Sequence, residues 1–321
     1  THPVTTTTAP PPQPQSHPFA DTPQARARVK RLRRLDKIIA SSITAGGLLI
    51  IVAVFGIFAF VFGEAVPLFL GSSAELVSTR ANVTAGGKAL AVAIDEYGQR
   101  PVVLTDRGVL RILDSKNASP DVDVPLDQLG TATITTGVVA HEAPVFAAAT
   151  SDGRVLVAGI AYEPRFEDGK RVGQDASVAW QFALPMRDDG KPIERLAVAS
   201  DGARVTVIAA ADGSLKFAHR RAKGIGTSPK FGDASELVTG KTITSVALNG
   251  AADHAAVGFA DGRFFQFDVD KADATLKENL DSGSTQAVTA LSWVFGGQTL
   301  LVGTADGQVS GWQGIRSGPS S

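Results

Sequence analysis

The sequence predicts one long apolar helix followed by an all-β domain that is built from repeats. Two observations predict this organisation. Residues 38–62 form a run of 25 residues without a single charge, and five short hairpin motifs follow it. The turn glycines of these hairpins are 45, 60, 49 and 45 residues apart along the chain: Gly108, Gly153, Gly213, Gly262 and Gly307. A chain of 321 residues is long enough to hold both parts.

The N-terminal segments differ sharply from the rest of the chain in composition. Residues 1–25 are rich in Pro, Thr and Gln and poor in apolar side chains, so we expect a disordered tail. Residues 26–37 contain seven Arg and Lys residues against Asp36 alone. Residues 1–37 therefore sum to +5 and the remainder to −6, within a total of −1. This asymmetry predicts two different surroundings for the two parts, and the near-zero total gives no field that would attract nucleic acid.

The uncharged run predicts a transmembrane helix over residues 38–63. A helix of 25 residues is about 37 Å long, enough to cross a hydrocarbon core of about 30 Å. A buried helix of a soluble protein and a cleavable signal peptide are the alternatives, although the apolar region of a signal peptide usually has about 7–15 residues. Residues 64–84 are predicted to link the helix to the domain that follows, with Pro67 ending the helix.

The charges on either side of the helix predict its orientation. The cluster at residues 26–37 is on the N-terminal side and Glu64 is on the other. The excess of positive charge in cytoplasmic segments then places residues 1–37 in the cytoplasm. Everything after the helix would lie on the far side of a bacterial inner membrane, in the periplasm, with membrane lipid around the helix.

The repeats predict a β-propeller over residues 85–321. In GFADGRFFQFD, residues 258–268, a two-residue Asp-Gly turn joins two apolar strands. Each repeat shows the order strand, polar break, strand, turn, strand, and a period of about 40–50 residues is typical of four-stranded propeller blades. We therefore predict a WD40-like propeller with five recognisable blades, although the Gly-His and Trp-Asp pairs of that repeat are absent. Since such rings usually have seven blades, we expect the ring to be incomplete.

No residue pattern predicts catalysis, a cofactor or a metal site. The chain has no Cys, which excludes disulfides and Cys-ligated metals. The aspartates of four turns each belong to a different blade, so we interpret them as turn formers: Asp152, Asp212, Asp261 and Asp306. The five histidines show no H-x-x-x-H pair and no nearby carboxylate pattern: His2, His17, His141, His219 and His254. No nucleophile motif is present, so we expect a protein that is not an enzyme.

Two segments are weak candidates for an anion site. HRRAKGIG, residues 219–226, contains Arg220, Arg221 and Lys223, and TAGGKAL, residues 84–90, is rich in glycine. Neither matches the Gly-x-x-x-x-Gly-Lys-Ser/Thr pattern of a phosphate-binding loop. A solvated loop between blades is the favoured interpretation of the basic run, with an anion site as the alternative.

The end of the apolar helix resembles a known family. FVFGEAVPLF, residues 60–69, is similar to the first membrane helix of the permease subunit of phosphate ABC transporters, in its long proteobacterial form (PstC type). The matching residues are Glu64, Pro67, Leu68 and Phe69, and that form also carries a WD40-like domain after its first helix. The resemblance is best over residues 28–70 and loose over the rest.

The resemblance implies a membrane-embedded subunit of an inorganic phosphate transporter. Its implied partners are a sister permease subunit, an ATPase subunit and a periplasmic phosphate-binding protein. The chain contains only one apolar run of sufficient length, so we expect it to be an N-terminal fragment that lacks two blades and the permease core. The alternative is a single-pass, membrane-anchored periplasmic propeller that acts as a protein-binding scaffold.

Overall fold

The computed structural model describes residues 23–69, 79, 82–115, 120–222, 228–269, 275–294 and 296–313. The chain divides into two compact units, Thr1–Leu76 and Val77–Ser321, and each unit is described by itself. The predicted disordered tail falls almost entirely outside the described residues, as does most of the predicted linker between residues 70 and 81.

The first unit contains a single described helix, α1 (Pro23–Phe69), of 47 residues. The segment Lys30–Val66 is long and apolar enough to cross a membrane, with a mean hydropathy of 2.7, and none of its most apolar window is buried. The core helix of a soluble protein would instead have most of this window buried. By length and composition, a membrane anchor and a signal sequence both remain compatible with this segment.

The helix extends beyond the predicted range at both ends. It includes the basic flank of residues 26–37, since Arg and Lys are good helix formers. Pro67 was expected to end the helix, and this expectation is wrong, because α1 continues for two residues and ends at Phe69. A proline close to the C-terminal end removes one hydrogen bond but does not prevent a short continuation.

The described residues of the second unit form five antiparallel sheets, and the strands of each sheet follow one another in chain order. Their bounds, blade by blade, are as follows. Blade 1 has β1 (Ala89–Ala93), β2 (Val102–Thr105), β3 (Val109–Ile112) and β4 (Val122–Pro125); blade 2 has β5 (Ile134–Val139), β6 (Val145–Thr150), β7 (Arg154–Glu167) and β8 (Lys170–Pro185); blade 3 has β9 (Arg195–Ser200), β10 (Arg204–Ala211), β11 (Ser214–Arg221) and β12 (Lys230–Asp233). Blade 4 has β13 (Ile243–Leu248), β14 (His254–Phe259), β15 (Arg263–Asp268) and β16 (Thr275–Asp281), and blade 5 has β17 (Val288–Trp293), β18 (Thr299–Thr304) and β19 (Val309–Gln313).

Four hydrophobic clusters join neighbouring blades, and each cluster spans one pair of blades. Alternation along the strands explains this, because successive side chains point to opposite faces of a sheet. In β6, Ala147 packs toward blade 3 while Phe146 packs toward blade 1. In β10, Val207 packs toward blade 2 while Ile208 packs toward blade 4. The domain is therefore a β-propeller, as the repeats predict.

The five blades form an open arc in the part of the chain that the structure describes. None of the four clusters joins blade 5 to blade 1. Apolar side chains at both ends of the arc are exposed: Val92 by 56% in blade 1 and Val309 by 73% in blade 5. The expectation that further blades complete the ring stays a prediction.

The central hairpin turns occur where the sequence predicts them, but most are one residue longer. Only the turn of blade 3 has two residues, Asp212 and Gly213, and both have positive φ, at 45° and 73°. In blades 1, 2 and 4 three residues lie between the strands, and only the last, a glycine, has positive φ. A type I turn followed by a left-handed glycine produces this longer loop, so the prediction of two-residue turns throughout is wrong.

The irregular interval of 60 residues has a structural cause. Strands β7 and β8 have 14 and 16 residues, and they pair along their length to Glu167 and Lys170 at their tip. The distal half of this hairpin, residues 160–178, extends beyond the blade and is called the arm below. Two register shifts, at Gly159/Ile160 and at Arg165/Phe166, bend it.

Two turn glycines in adjacent blades offer a matched test of the packing. Gly262 and Gly307 have the same φ of +83°, but a β-carbon at Gly262 would overlap the carbonyl oxygen of Ser284, whereas one at Gly307 meets nothing within 4 Å. We expect Gly307→Ala to lower the free energy of unfolding by about 1–2 kcal/mol, through backbone strain alone. Gly262→Ala should cost about 1–3 kcal/mol more, because the backbone around Ser284 must move. Urea unfolding of the two variants measures the difference, and equal losses would contradict the packing of this loop.

A candidate binding cleft on the propeller

The loops that join the first and second strands lie at one end of the blades, opposite to the central hairpin turns. Polar side chains within these loops hold their backbone. The buried carboxylate of Asp95 in blade 1 accepts three backbone N–H groups, from Tyr97 at 3.1 Å, Gln99 at 2.7 Å and Arg100 at 2.6 Å. In blade 4, Asn249 Oδ1 accepts two backbone N–H groups in the same manner. In these two blades the polar breaks are therefore turns whose backbone is held by side-chain hydrogen bonds.

The arm of blade 2 packs on the corresponding loop of blade 1. Arg100 donates from Nε to the carbonyl oxygen of Gln174 at 2.6 Å, and its guanidinium lies 3.4 Å from Asp175 and 3.5 Å from Asp114. The Arg171 guanidinium stacks over the Tyr97 ring, 3.4 Å from the ring centre. These contacts fix the arm against blade 1, so the arm forms a wall beside the loops.

A cleft of about 700 Å³ lies between this wall and the ends of the innermost strands of blades 1 and 2. Its floor is apolar and its rim is acidic. Three of the lining residues are carboxylates, namely Asp95, Glu96 and Glu142, and no Lys or Arg is among the described residues that line it. The apolar part of the lining comes from both blades: Val92, Ala93, Ile94, Val139, Ala140, Ala143 and Pro144. Such a cleft is suited to a ligand with apolar groups and positive charge.

Tyr162 lines this cleft from the arm. Its hydroxyl oxygen is buried and has no hydrogen-bond partner among the described residues. Burial raises the pKa of Tyr162 to about 12, and the negative charge of Asp95 contributes to the same shift. The phenol is therefore neutral under ordinary conditions.

A smaller cavity of about 180 Å³ adjoins the cleft, lined by the innermost strands of blades 2 to 5. His141 and Glu142 line both spaces. The Glu142 side chain reaches across to blade 4, since a β-carbon added at Gly250 would overlap its carboxylate. An added side chain at position 250 would therefore displace the Glu142 carboxylate from its present position.

The aspartates of the hairpin turns do not converge on a common point. Asp261 Oδ1 accepts the backbone N–H of Arg263 at 3.1 Å. Hydrogen bonding from the Arg154 side chain is the largest cause of the lowered pKa of Asp152, and burial opposes it. Within the described residues, no group of three or more His, Cys, Asp or Glu side chains could hold a metal ion.

Sequence reasoning missed the threonine that precedes two of these turns. Thr150 is fully buried, and its hydroxyl lies 2.5 Å from Asp152 Oδ1 and 2.9 Å from the carbonyl oxygen of Arg154, which share its single proton. The same hydroxyl accepts the Arg154 N–H at 3.1 Å. Thr304 likewise donates to Asp306. The available signal was a repeated Thr-x-Asp-Gly, at residues 150–153 and 304–307.

Three histidines lie in the described residues, and one of them contradicts the sequence analysis. His254 has carboxylates on both sides, with Nδ1 2.7 Å from Asp253 and Nε2 3.4 Å from Asp268. Asp268 is distant in sequence but is the cross-strand partner of His254, which explains why no local pattern revealed it. His141 lines the cleft, His219 is buried in blade 3, and His2 and His17 lie outside the described residues.

The basic run of residues 219–226 is divided by strand alternation. The Arg220 guanidinium lies 4.2 Å from the centre of the Phe182 ring in blade 2, whereas Arg221 is on the opposite face of the same strand. Lys223 lies outside the described residues. In the glycine-rich candidate, residues 84–90, the Lys88 N–H donates to Asp106 Oδ1 at 2.8 Å.

The comparisons with known proteins concern the fold. No family model matches the chain, and no curated protein matches it. Among solved structures, it is similar to the β-propeller domain of Cps50 (Swd1) from Myceliophteria thermophila, at 12% identity and a TM-score of 0.49, over 77% of this chain and 70% of that one. It is also similar to Raptor from Chaetomium thermophilum, at 15% identity and a TM-score of 0.44, over 71% of this chain and 20% of that one. The assignment to the propeller fold rests on the five sequential sheets.

The raised pKa of Tyr162 predicts a stability difference at high pH. The phenol must be protonated in the folded cleft, so its contribution is fully present below about pH 10 and is lost as the pH rises toward 12. We expect Tyr162→Phe, which cannot ionise, to lose less stability than the unmodified chain between pH 9 and pH 11. Urea unfolding at both pH values measures this. Equal losses in the two proteins would contradict a buried phenol beside Asp95.

Proposed function

We propose that the protein is a membrane-anchored propeller that binds a basic polypeptide segment in the cleft between the arm and blade 1. The observation that carries the proposal is the combination of an apolar floor with three carboxylates and no described Lys or Arg. A peptide with apolar side chains and Lys or Arg would place the former on Val92 and Ile94 and the latter near Glu96 and Glu142. This is a binding role, without a chemical reaction.

The helix supports the anchoring part of the proposal. Its apolar window is wholly exposed, and burial in a bilayer would remove that surface from water. The basic flank of residues 26–37 would stay in the cytoplasm of a bacterial cell, and the propeller would lie in the periplasm. A cytoplasmic flank also interacts favourably with anionic lipid.

A second candidate function is that of a phosphate ABC transporter permease subunit. It is favoured by one observation, the similarity of residues 60–69 to the end of the first membrane helix of that family, with the propeller after it. In this role the cleft would be a docking surface on the periplasmic side. The implied partners remain a sister permease, an ATPase and a phosphate-binding protein.

Absence of cysteine makes the orientation directly measurable. We expect Asp188→Cys, whose native side chain is 95% exposed on the propeller, to react with a membrane-impermeant maleimide in spheroplasts. Lys30→Cys, on the basic flank, should react only after the membrane is permeabilised. The reverse pattern would contradict the proposed orientation, and release of a labelled propeller from the membrane fraction would indicate a cleaved signal sequence.

The carboxylates of the cleft predict a charge-dependent affinity for peptides. We expect the full chain in detergent to bind a fluorescent Lys/Leu peptide and to reject a Glu/Leu peptide of the same length. Glu96→Gln and Glu142→Gln should each weaken binding by about twofold to fivefold, since both side chains are partly solvated. Fluorescence anisotropy at low and high salt measures the effect, which salt should reduce.

The matched control is Asp188→Asn, which removes the same charge at the other end of the propeller. It should leave the affinity unchanged. Equal weakening by all three variants would indicate a general attraction to an acidic protein. Equal binding of the two peptides would remove the basis of the proposed function.

The permease candidate has a separate test. Deletion of the gene should lower uptake of radiolabelled phosphate, and the chain should co-purify from membranes with an ATPase subunit. Normal uptake together with a chain that purifies without an ATPase would exclude this candidate, while leaving the anchored scaffold intact.

A further inference from the structure

The outer strands of blade 3 place four nitrogen-rich side chains on one face of the sheet. Arg204 is the cross-strand partner of Arg221, and His219 is the partner of Lys230. Arg221 and His219 are two residues apart on β11, so both pairs lie on the same face. Two neighbouring pairs of basic residues therefore occupy adjacent rows of one sheet.

The Arg204/Arg221 pair places two like charges opposite each other, which is unfavourable unless an anion compensates them. Side chains directly opposite each other in a sheet have β-carbons about 4.5–5.5 Å apart, and like charges in that position repel. Arg204 has a carboxylate nearby, with Asp201 at 3.9 Å. Neither Arg221 nor Lys230 forms a salt bridge with any residue that the structure describes.

The neighbouring contacts hold part of this face in a fixed geometry. Arg204 donates from Nη2 to the carbonyl oxygens of Ala251 and Ala252 at 3.4 and 3.2 Å. Thr206 donates its hydroxyl to the same Ala252 oxygen at 2.8 Å, so it must accept from His219, whose Nδ1 lies 2.9 Å away.

A cavity of about 400 Å³ opens at this place. Four basic residues line it, namely Arg204, Arg220, Arg221 and Lys230, together with Ala203, His219 and Ser228. No carboxylate is among the described residues that line it. A concave site with several convergent donors and a positive potential is suited to a compact anion with several acceptor oxygens.

We propose that this cavity on blade 3 binds a phosphoryl group. Arg221 and Lys230 supply the charge, Arg204 supplies a positioned guanidinium, and Ser228 supplies a hydroxyl donor. The group could belong to a free anion or to the head group of an anionic lipid, and both present the same oxygens. The site is distinct from the cleft between the arm and blade 1, and it shares no lining residue with it.

Titration of the full chain in detergent with inorganic phosphate at constant ionic strength tests the proposal. We expect saturable binding by isothermal calorimetry, with chloride replaced stepwise by phosphate. Arg221→Gln and Lys230→Gln should each raise the Kd by about tenfold or more, since each removes a charge-assisted contact. Lys230 is exposed, so its variant keeps the test valid if Arg221→Gln does not fold.

Lys216→Gln is the matched control on the same strand. Lys216 is five residues from Arg221, about 17 Å along β11, and it pairs with the highly exposed Asp188. It should leave phosphate affinity unchanged. The proposal would be overturned if Lys216→Gln lost as much affinity as Arg221→Gln. It would also be overturned if the unmodified chain bound neither phosphate nor the lipid probe of the second titration.

A second titration distinguishes the two sources of the phosphoryl group. Dihexanoyl-phosphatidylglycerol, kept below its micelle concentration, replaces phosphate, and dihexanoyl-phosphatidylcholine serves as its zwitterionic control. Tighter binding of the phosphatidylglycerol than of phosphate, lost in Arg221→Gln, identifies a lipid head group. Tighter binding of phosphate identifies a free anion. Equal binding of both lipids, unaffected by the variants, contradicts the proposed site.

Discussion

Burial of each blade against its neighbours is the interaction on which the propeller depends. Every described hydrophobic cluster spans two blades, so a single sheet has no core of its own. Large side chains such as Phe217 and Phe264 are fully buried at these boundaries, and each contributes about 1.5–3 kcal/mol by removal from water. The hairpin turns fix the pairing register of the strands. A register shifted by one residue would point the apolar side chains toward solvent and remove them from these boundaries.

The cleft follows from two departures from the regular repeat. The extended hairpin of blade 2 provides a wall, and the packing of Arg100 and Arg171 on its neighbours holds that wall in place. Arg100 pairs with Asp114 and Asp175, and Arg171 stacks on the Tyr97 ring. Because these contacts hold both positive side chains away from the cleft, its rim is acidic. On blade 3 the opposite occurs, since cross-strand pairing concentrates basic side chains on one face. One scaffold thereby presents two surfaces of opposite charge.

Local sequence patterns predicted the fold well and the site poorly. Short-range steric and hydrophobic rules predict the turn glycines, the five blades and the apolar helix. Gly262, for example, marks a turn and Phe264 a buried strand position whatever the rest of the chain does. The arm was visible only as an unexplained interval of 60 residues. The environment of Tyr162 depends on how the arm packs on Asp95, and the contact of His254 with Asp268 depends on strand register. Helix continuation past Pro67 likewise depends on the length of helix around it.

Hydrogen–deuterium exchange of the full chain in lipid nanodiscs, with and without a Lys/Leu peptide, shows whether the cleft is the binding site. We expect added protection in residues 92–96 and 139–144, which form the floor and rim of the cleft. The central hairpin turns at the other end of the propeller should exchange as before. Protection confined to those turns, or no change near the arm when the peptide is saturating, would contradict the proposal that this cleft is the binding site.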